Sequence, residues 1–326
     1  MANNQNQPAR PIYVVPSTRS IAEAQNSFSC LRLLLTQRKT HSIAKTWAML
    51  RGLGVGVVAI AAPILTFVSP TSAVFIGAVA GVWIVLSRTL FASFEAHYSG
   101  RGAVIQEYFD MTIFGMLPAP MRVPELTPEL VSRTVGADDV ALATIDRQSL
   151  RDWYPLDLEL NGAAAIAIAQ RANAAYSERL LTLNARLWLA LTLIWSLATI
   201  ALSLALGLKL ETCLLGVVLP LLPALLDVID QWRHTRQASK ERLNLANTIE
   251  DAIKNARDEP INPEDLLVWQ DQLFALRRDA PQVSNLLYWL TRAKNEIAMN
   301  AGARDLSDVA KKIDSRRTNT LKDQTE

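Results

Sequence analysis

Cysteine, charge and strand-forming patterns are scarce in this chain of 326 residues. The two cysteines, Cys30 and Cys213, lie far apart, which excludes a disulfide framework and any CxxC motif for zinc or redox chemistry. Charged residues make up 20% of the chain and the net charge is only +2, so the basic excess of a nucleic-acid-binding protein is missing. We therefore expect no direct binding to DNA or RNA.

Sequence motifs that signal catalysis are also missing. The chain contains no Walker motif, no GxGxxG after a strand, no HExxH and no GxSxG. The three histidines, His41, His97 and His234, are isolated from one another and from any cysteine. These absences predict a protein that is not an enzyme and that needs no metal or cofactor.

What the chain does have is four apolar runs, arranged as two close pairs: residues 52–68, 73–87, 187–208 and 213–228. A helix that crosses hydrocarbon needs about 20 apolar residues. The third run meets this without a charge, and the others do so once flanking residues are included. Two buried hairpins in a soluble domain are the alternative. The pattern favours an all-α membrane protein with four transmembrane helices in two hairpins.

The orientation of the spans follows from lysine and arginine, which concentrate in cytoplasmic segments. Basic residues precede the first run, occupy the middle segment and follow the fourth run, whereas the two hairpin links contain only Lys209. The sequence therefore predicts a multi-pass protein of the bacterial inner membrane with both termini in the cytoplasm.

Long helical cytoplasmic extensions are predicted outside the apolar runs. Helix start signals occur at Ser20–Glu23, Thr127–Pro128, Asn161, Asn262–Pro263 and Pro281. Helices over 21–51, 162–186 and 229–257 are expected to continue into the spans. The predicted segments are an N-terminal helix (1–51), the first hairpin (52–87), a middle helical segment (88–186), the second hairpin (187–228), C-terminal helices (229–313) and a polar, frayed tail (314–326).

Hydroxyl side chains follow one face of the third run. Thr192, Ser196, Thr199 and Ser203 are spaced by four, three and four residues, which places them on the same side of a helix. They are candidates to line a pore in a homo-oligomer. The alternative is that each hydroxyl bonds a carbonyl of its own helix or of a neighbouring helix.

Two acidic residues, Asp227 and Asp230, lie one turn apart at the cytoplasmic end of the fourth run. In a symmetric oligomer Asp227 would form a ring of carboxylates at the pore mouth, which favours cations. The alternative pairs these acids with the nearby Arg233 or His234.

Small residues spaced by four, at Gly52 and Gly56 and again at Ala73, Gly77 and Gly81, permit close helix contact within a hairpin or between subunits.

Arginine and aromatic side chains in the cytoplasmic segments form a candidate ligand site. Arginine suits phosphate, and tryptophan or tyrosine can stack on a nucleobase. The candidates are Arg32, Arg38, Arg171 and Arg277 for phosphate and Trp153 or Tyr154 for stacking. Interhelical salt bridges and helix caps are the alternative role for each.

Several strings resemble a known family: "QNSFSCLRLLLTQR", "AVIQEYFDMTIFGMLP", "LRDWYP", "AQRANAAYSERLL" and "LFALRRDAPQVSNLLYWLTR". Interleaved with two membrane hairpins, they look like the SMODS-associated four-transmembrane effectors of bacteria. The resemblance implies a membrane effector of antiphage defence. Its signal would be a cyclic nucleotide made by a cognate nucleotidyltransferase, and its action would be to form a pore and disrupt the membrane.

Two other functions stay open on the sequence alone. A non-conducting membrane sensor or scaffold would relay a signal to a partner protein. A small-solute transporter is less well supported, because the spans lack buried ionisable residues.

Overall fold

The computed structural model describes residues 13–68, 70–117, 126–205, 207, 209, 211 and 219–323, and within them the chain is helical with no strand. The helices, in chain order, are α1 (Thr18–Gln25), α2 (Phe28–Val68), α3 (Pro70–Leu86), a π-helical turn (Ser87–Phe91), α4 (Ala92–Phe114), α5 (Pro128–Val135), α6 (Asp138–Arg147), α7 (Gly162–Ala205), α8 (Leu219–Asn255), α9 (Pro263–Arg278) and α10 (Asn285–Asp323).

Helix starts agree with the sequence signals at three places. Thr127 caps α5 and Asn262 caps α9, each followed by proline at the first helical position. The side chain of Asn161 accepts a bond from the backbone N–H of Ala164 at the start of α7, at 2.9 Å.

The N-terminal helix differs from the prediction, because it is divided in two. Ser17, rather than Ser20, caps α1, and the chain turns at Asn26 before α2 begins. The amide of Asn26 donates to the Asp152 carboxylate at 2.8 Å and accepts from the Asp152 N–H at 3.0 Å. This side-chain pair holds the break in place and ties it to the loop before α7.

Two long helix pairs dominate the packing: α7 lies along α8, and α2 lies along α4. Helix α10 packs on α7, and α9 packs between α4 and α7. A single large core joins these helices, with Leu35, Phe109, Phe114 and Ile166 fully buried. The core lies in the segments predicted to be cytoplasmic.

The apolar part of α7 lacks such cover. Within the described residues, α7 is the one helix whose length and apolar composition suffice to cross a membrane, and only 6% of its most apolar stretch is buried. Residues 213–218 of the fourth run lie outside the described residues, as do most side chains of the first run. The layout of four spans therefore stays a prediction.

Helices run without a break across the predicted membrane boundaries. Helix α2 continues through residue 52, α7 through residue 187 and α8 through residue 229. The π-helical turn joins α3 to α4 at the end of the second run. Because an α-helix satisfies its backbone hydrogen bonds internally, it can pass from water into lipid without a break.

The C-terminal segment is more ordered than expected. Helix α10 extends to Asp323, across the stretch predicted to be frayed. Lys311 Nζ bonds the carboxylates of Asp157 and Glu159 at 2.7 and 2.6 Å, and Asp314 accepts from Asn161 at 2.9 Å. These contacts dock the helix on the loop that precedes α7.

Candidate functional site

Basic and aromatic side chains converge where α2, α7 and α10 meet the loop after α6. We call this group the cation–aromatic cluster. Its members are Arg38, Lys45, Gln148, Trp153, Tyr176, Tyr288, Arg292 and Glu296.

Arg38 is the centre of the cluster. Its guanidinium carbon lies 5.5 Å from the centroid of the Trp153 ring, within the range of a cation–π contact. Nη1 donates to the backbone carbonyl and the side-chain oxygen of Gln148, both at 3.3 Å, and Nη2 donates to the Tyr288 hydroxyl at 3.4 Å. All three polar contacts are with neutral groups, and burial lowers the pKa of Arg38.

Lys45 and Arg292 complete the basic part of the cluster. Lys45 Nζ lies 5.1 Å from the centroid of the Tyr288 ring. Burial, and then the charge of Arg38, lower the pKa of Lys45 to about 8. Arg292 donates to the Gln148 carbonyl at 3.3 Å and to Glu296 at 2.6 Å.

The balance of charge in the cluster favours an anion. It contains three basic side chains, and within the described residues Glu296 is the one carboxylate ion-paired with them. An anion placed here would offset the desolvation of Arg38 and Lys45. Next to the cluster, Asn295 is 7% exposed, and its Nδ2 has no hydrogen-bond partner within the described residues. Tyr288, Arg292 and Asn295 share one face of α10, because they are spaced by four and three residues.

The loop after α6, which carries Gln148 and Trp153, has a strained backbone at two other residues. Ser149 and Asp152 have positive φ values of 50° and 51°. Residues other than glycine adopt this region at a cost of about 1–3 kcal/mol, and they keep it where the surrounding structure enforces it. Here the side chain of Asn26 bonds both the carboxylate and the backbone N–H of Asp152. These two bonds fix the loop to the end of α1.

The remaining ligand candidates lie elsewhere, and two of them form separate ion pairs. Arg32 donates to the Ser132 hydroxyl at 2.8 Å and lies 3.7 Å from the Asp138 carboxylate. Arg171 donates Nε and Nη2 to Glu250 at 3.1 and 2.7 Å.

Arg277 and Tyr154 belong to a buried polar network between α4, α7 and α9. Arg277 Nη1 lies 2.6 Å from Asp110 and 3.5 Å from Glu107. The Tyr154 hydroxyl donates to Asp110 at 2.8 Å, and Gln270 donates to Glu107 at 2.8 Å. The network ties three helices together at the centre of the bundle.

Electrostatics in this network follow from its burial. Burial raises the pKa of Glu107 to about 7, although Arg277 acts in the opposite direction. Burial and the adjacent Asp110 also raise the pKa of Tyr154. For Arg277, burial is the largest influence and favours the neutral form, but Asp110, Tyr154 and Glu107 together outweigh it and raise the pKa. The guanidinium therefore stays charged and anchors both carboxyls.

Three of the four hydroxyls on one face of α7 are satisfied within their own helix. Thr192, Thr199 and Ser203 donate to carbonyls one turn back, at 2.8, 2.9 and 2.8 Å. Ser196 is half-buried on the same face. The opposite face exposes apolar side chains such as Ile194 (65%) and Leu197 (66%). The hydroxyls thus face inward and the leucines outward, the arrangement expected in lipid.

Asp227 is paired across the two hairpins rather than with Arg233 or His234. Arg88 donates Nε and Nη2 to Asp227 Oδ1 at 3.0 and 2.6 Å. Arg88 lies in the π-helical turn, a feature that often marks functional positions in helices. The pair links the end of the second apolar run to the end of the fourth run.

Six members of the cluster were not singled out as ligand residues from the sequence: Lys45, Gln148, Tyr176, Tyr288, Arg292 and Glu296. Lys45 counted only as an orienting charge, and Tyr176, Tyr288 and Arg292 lie in strings that support the family resemblance. Within the described residues no group of three His, Cys, Asp or Glu side chains could hold a metal ion.

Fold and site together define a helical protein with a membrane-compatible apolar end and a cation-rich cluster at the base of its long helices. The chain matches the SMODS-associating 4TM effector domain over residues 19–306, so it belongs to that family. It is a membrane effector of a nucleotide-signalling defence system. Comparisons with curated proteins and with solved structures find no match.

Proposed function

We propose that the protein is an inner-membrane effector that a cyclic nucleotide opens or assembles into a pore, which disrupts the membrane during antiphage defence and so causes abortive infection. The family supports a signal derived from a partner nucleotidyltransferase. The cation–aromatic cluster is the observation that carries the proposal, because it combines uncompensated basic charge with stacking surfaces.

The chemistry of the cluster suits a cyclic oligonucleotide. Phosphates would accept charge-assisted hydrogen bonds from Arg38, Lys45 and Arg292. Trp153 and the two tyrosines offer ring faces for a base, and stacking of this kind contributes about 1–3 kcal/mol per base. Gln148 and Asn295 add neutral donors and acceptors for the base edge.

The position of the cluster supports a coupling between ligand binding and the predicted spans. At ~1.5 Å per residue, Arg38 lies about 20 Å before the first apolar run and Tyr176 about 16 Å before the third. Both residues belong to helices that continue into those runs. A ligand that draws α2, α7 and α10 together would tilt or rotate α2 and α7. Because these helices continue into the first and third apolar runs, the predicted spans would move with them.

The binding free energy of a few phosphate contacts is sufficient to shift the protein from its resting to its active state. To change a resting population of about 1% into one of 99%, the ligand must prefer the active state by about 5.5 kcal/mol. Each charge-assisted hydrogen bond contributes about 1.5–3 kcal/mol, so three or four phosphate contacts suffice.

A non-conducting sensor is the second candidate. It is favoured by the internal hydrogen bonds of Thr192, Thr199 and Ser203, which engage the hydroxyl protons of three of the four stripe residues in this conformation. The Arg88–Asp227 pair similarly neutralises the proposed pore mouth. In the pore model both features describe the closed state, and the ligand must rearrange them.

Dye leakage from proteoliposomes separates the two candidates. A panel of cyclic di- and trinucleotides is added to vesicles that contain the full-length protein. Leakage with one nucleotide and none without it supports the pore, whereas binding by calorimetry without leakage supports the sensor.

The site itself is tested with Arg38→Glu, which should abolish nucleotide binding and leakage while membrane insertion is retained. Arg179→Glu, an exposed arginine of α7 outside the cluster, is the matched control. Equal loss in both variants, or unchanged binding by Arg38→Glu, would refute the role of the cluster.

A further inference from the structure

An apolar stripe runs along the outer face of α10, outside every predicted span. Leu286, Trp289, Leu290 and Ile297 are each between 68% and 71% exposed. Their spacing of three, one and seven residues places them on one side of the helix. The opposite side, with Asn295, Ala303 and Leu306, is buried against the bundle. Four large side chains make a patch at the upper end of what a monomer exposes, a few hundred Å².

The stripe is confined to the membrane-proximal part of α10. Tyr288 contacts Lys45, which lies about 10 Å below Gly52 at ~1.5 Å per residue. The other end of α10 docks at Asn161, the first turn of α7 and the far end of the bundle. Beyond Ile297 the outer face becomes polar, with Arg304 and Asp308 exposed. Apolar exposure therefore fades with distance from the membrane.

Lipid cannot cover the whole stripe. From Leu286 to Ile297 it extends about 16 Å along a helix that points away from the membrane. The headgroup layer is only about 5–8 Å thick on each side of the hydrocarbon. Even if Leu286 reached that layer, Ile297 would lie beyond it. The lower half of the stripe is therefore out of reach of lipid and available to a protein surface.

The charges beside the stripe fit a second copy. Lys294 lies on one flank of the stripe and Glu296, whose side chain is 42% exposed, lies on the other. Copies in one membrane are related by an axis along its normal, so their α10 helices run parallel. When two parallel helices place the same stripe face to face, opposite flanks meet, and Lys294 of one copy would approach Glu296 of the next.

We propose that the membrane-proximal stripe of α10 is a contact surface between copies of this chain. The contact rests on the proposed assembly in the membrane, but it does not depend on which ligand binds the cluster. It joins the cytoplasmic helices of neighbouring subunits at the level of the cation–aromatic cluster. Tyr288 and Arg292 lie on the same helix as the stripe, but on its opposite face, so the ligand site and the contact surface use different side chains.

Disulfide cross-linking in native membranes tests this contact. L290C is compared with K240C, which lies exposed on α8 at a similar depth, both in a C213A background. Cys30 stays in place, because it is 1% exposed. We expect oxidant to form a disulfide dimer with L290C at least tenfold more efficiently than with K240C. Equal or weaker cross-linking of L290C overturns the proposal.

A fluorophore attached to L290C distinguishes protein from lipid. In vesicles that contain brominated lipid, a fluorophore at a subunit contact keeps its emission, whereas one at the lipid surface is quenched. Strong quenching would assign the stripe to lipid and overturn the proposal.

Paired variants keep this proposal separate from the proposed function. W289S/L290S should reduce the oligomer seen after chemical cross-linking at least tenfold while nucleotide binding, measured by calorimetry, is unchanged. Arg38→Glu should abolish nucleotide binding, and in the absence of ligand it should leave the cross-linked oligomer unchanged. Retention of the oligomer by W289S/L290S would refute the contact, even if nucleotide binding is as proposed.

Discussion

The two halves of α7 have opposite relationships with their surroundings. In the half that begins at Gly162, small side chains such as Ala165 and Ala167 are fully covered, and Gln170 is 1% exposed. In the apolar half, Leu197 and Leu204 are 66% and 77% exposed although they are far more hydrophobic. A helix in water does the reverse. The comparison teaches that one unbroken helix has two different environments: its first half is packed inside the bundle, and its apolar half has the exposed surface expected of a membrane helix.

The largest effect that sharpens this comparison is expected from removing a buried carboxylate. Asp110→Asn should destabilise the fold by about 3–5 kcal/mol, because Arg277 is left as a buried charge without its main partner. Asp227→Asn should cost no more than about 1 kcal/mol, since its partner Arg88 is largely exposed. Guanidinium denaturation in detergent, followed by circular dichroism, measures both. Equal losses would mean that the two pairs are similarly solvated.

A charge placed on the apolar half should oppose membrane insertion. Leu197→Arg is expected to cost about 2.5–3.5 kcal/mol in hydrocarbon. Val268→Arg, at a residue 51% exposed on α9, should change stability by no more than about 0.5 kcal/mol. The fraction of protein that resists alkaline extraction from membranes reports the difference. If Leu197→Arg inserts as well as the wild type, lipid is not the solvent of this half.

Substitution of two glycines compares the packed bundle with an apolar run through a smaller change in stability. A Cβ at Gly102 would lie 2.7 Å from the His41 ring, so Gly102→Ala should destabilise the helical bundle by about 1–3 kcal/mol. Among the side chains that the structure describes, none lies within 4 Å of a Cβ at Gly56. Gly56→Ala should therefore be neutral or slightly stabilising in thermal unfolding. A loss at Gly56 instead would indicate a contact with another subunit.

The smallest effect concerns pH, at the boundary between the two regions. Lys45, with its pKa near 8, loses its proton as pH rises from 7 to 9. Because a phosphate favours the charged ammonium, nucleotide affinity should fall over this interval, by up to about tenfold or ~1.4 kcal/mol. Calorimetric titrations at each pH measure the decrease. Lys45→Arg should bind with a flat profile, and a decline that persists in this variant would assign the titration to another group.

Much of the fold was predictable from local signals. Thr127 and Asn262 cap helices as expected, because a capping side chain and the proline after it act over one turn. The turn at Asn26 was not predicted, since it depends on Asp152, which is remote in the chain. The docking of the last helix through Lys311 depends in the same way on Asp157 and Glu159.

The candidate site was predictable only in part. Arg38 and Trp153 were chosen for their chemistry, and the structure brings them together. Arg32, Arg171 and Arg277 have the same chemistry, but each is engaged with a carboxylate that no local pattern links to it. Tyr288 was missed, because its role depends on α10 packing beside α2.

The sequence by itself determined the class of protein, the helical periodicity and the family, since apolar runs, caps and short strings are local properties of the chain. Only the tertiary structure decided which arginines lack a carboxylate, which carboxylates share Arg277 and which face of α10 is left apolar. Those outcomes depend on contacts between residues far apart in the chain, and the free energy of a buried charge depends on the groups that surround it.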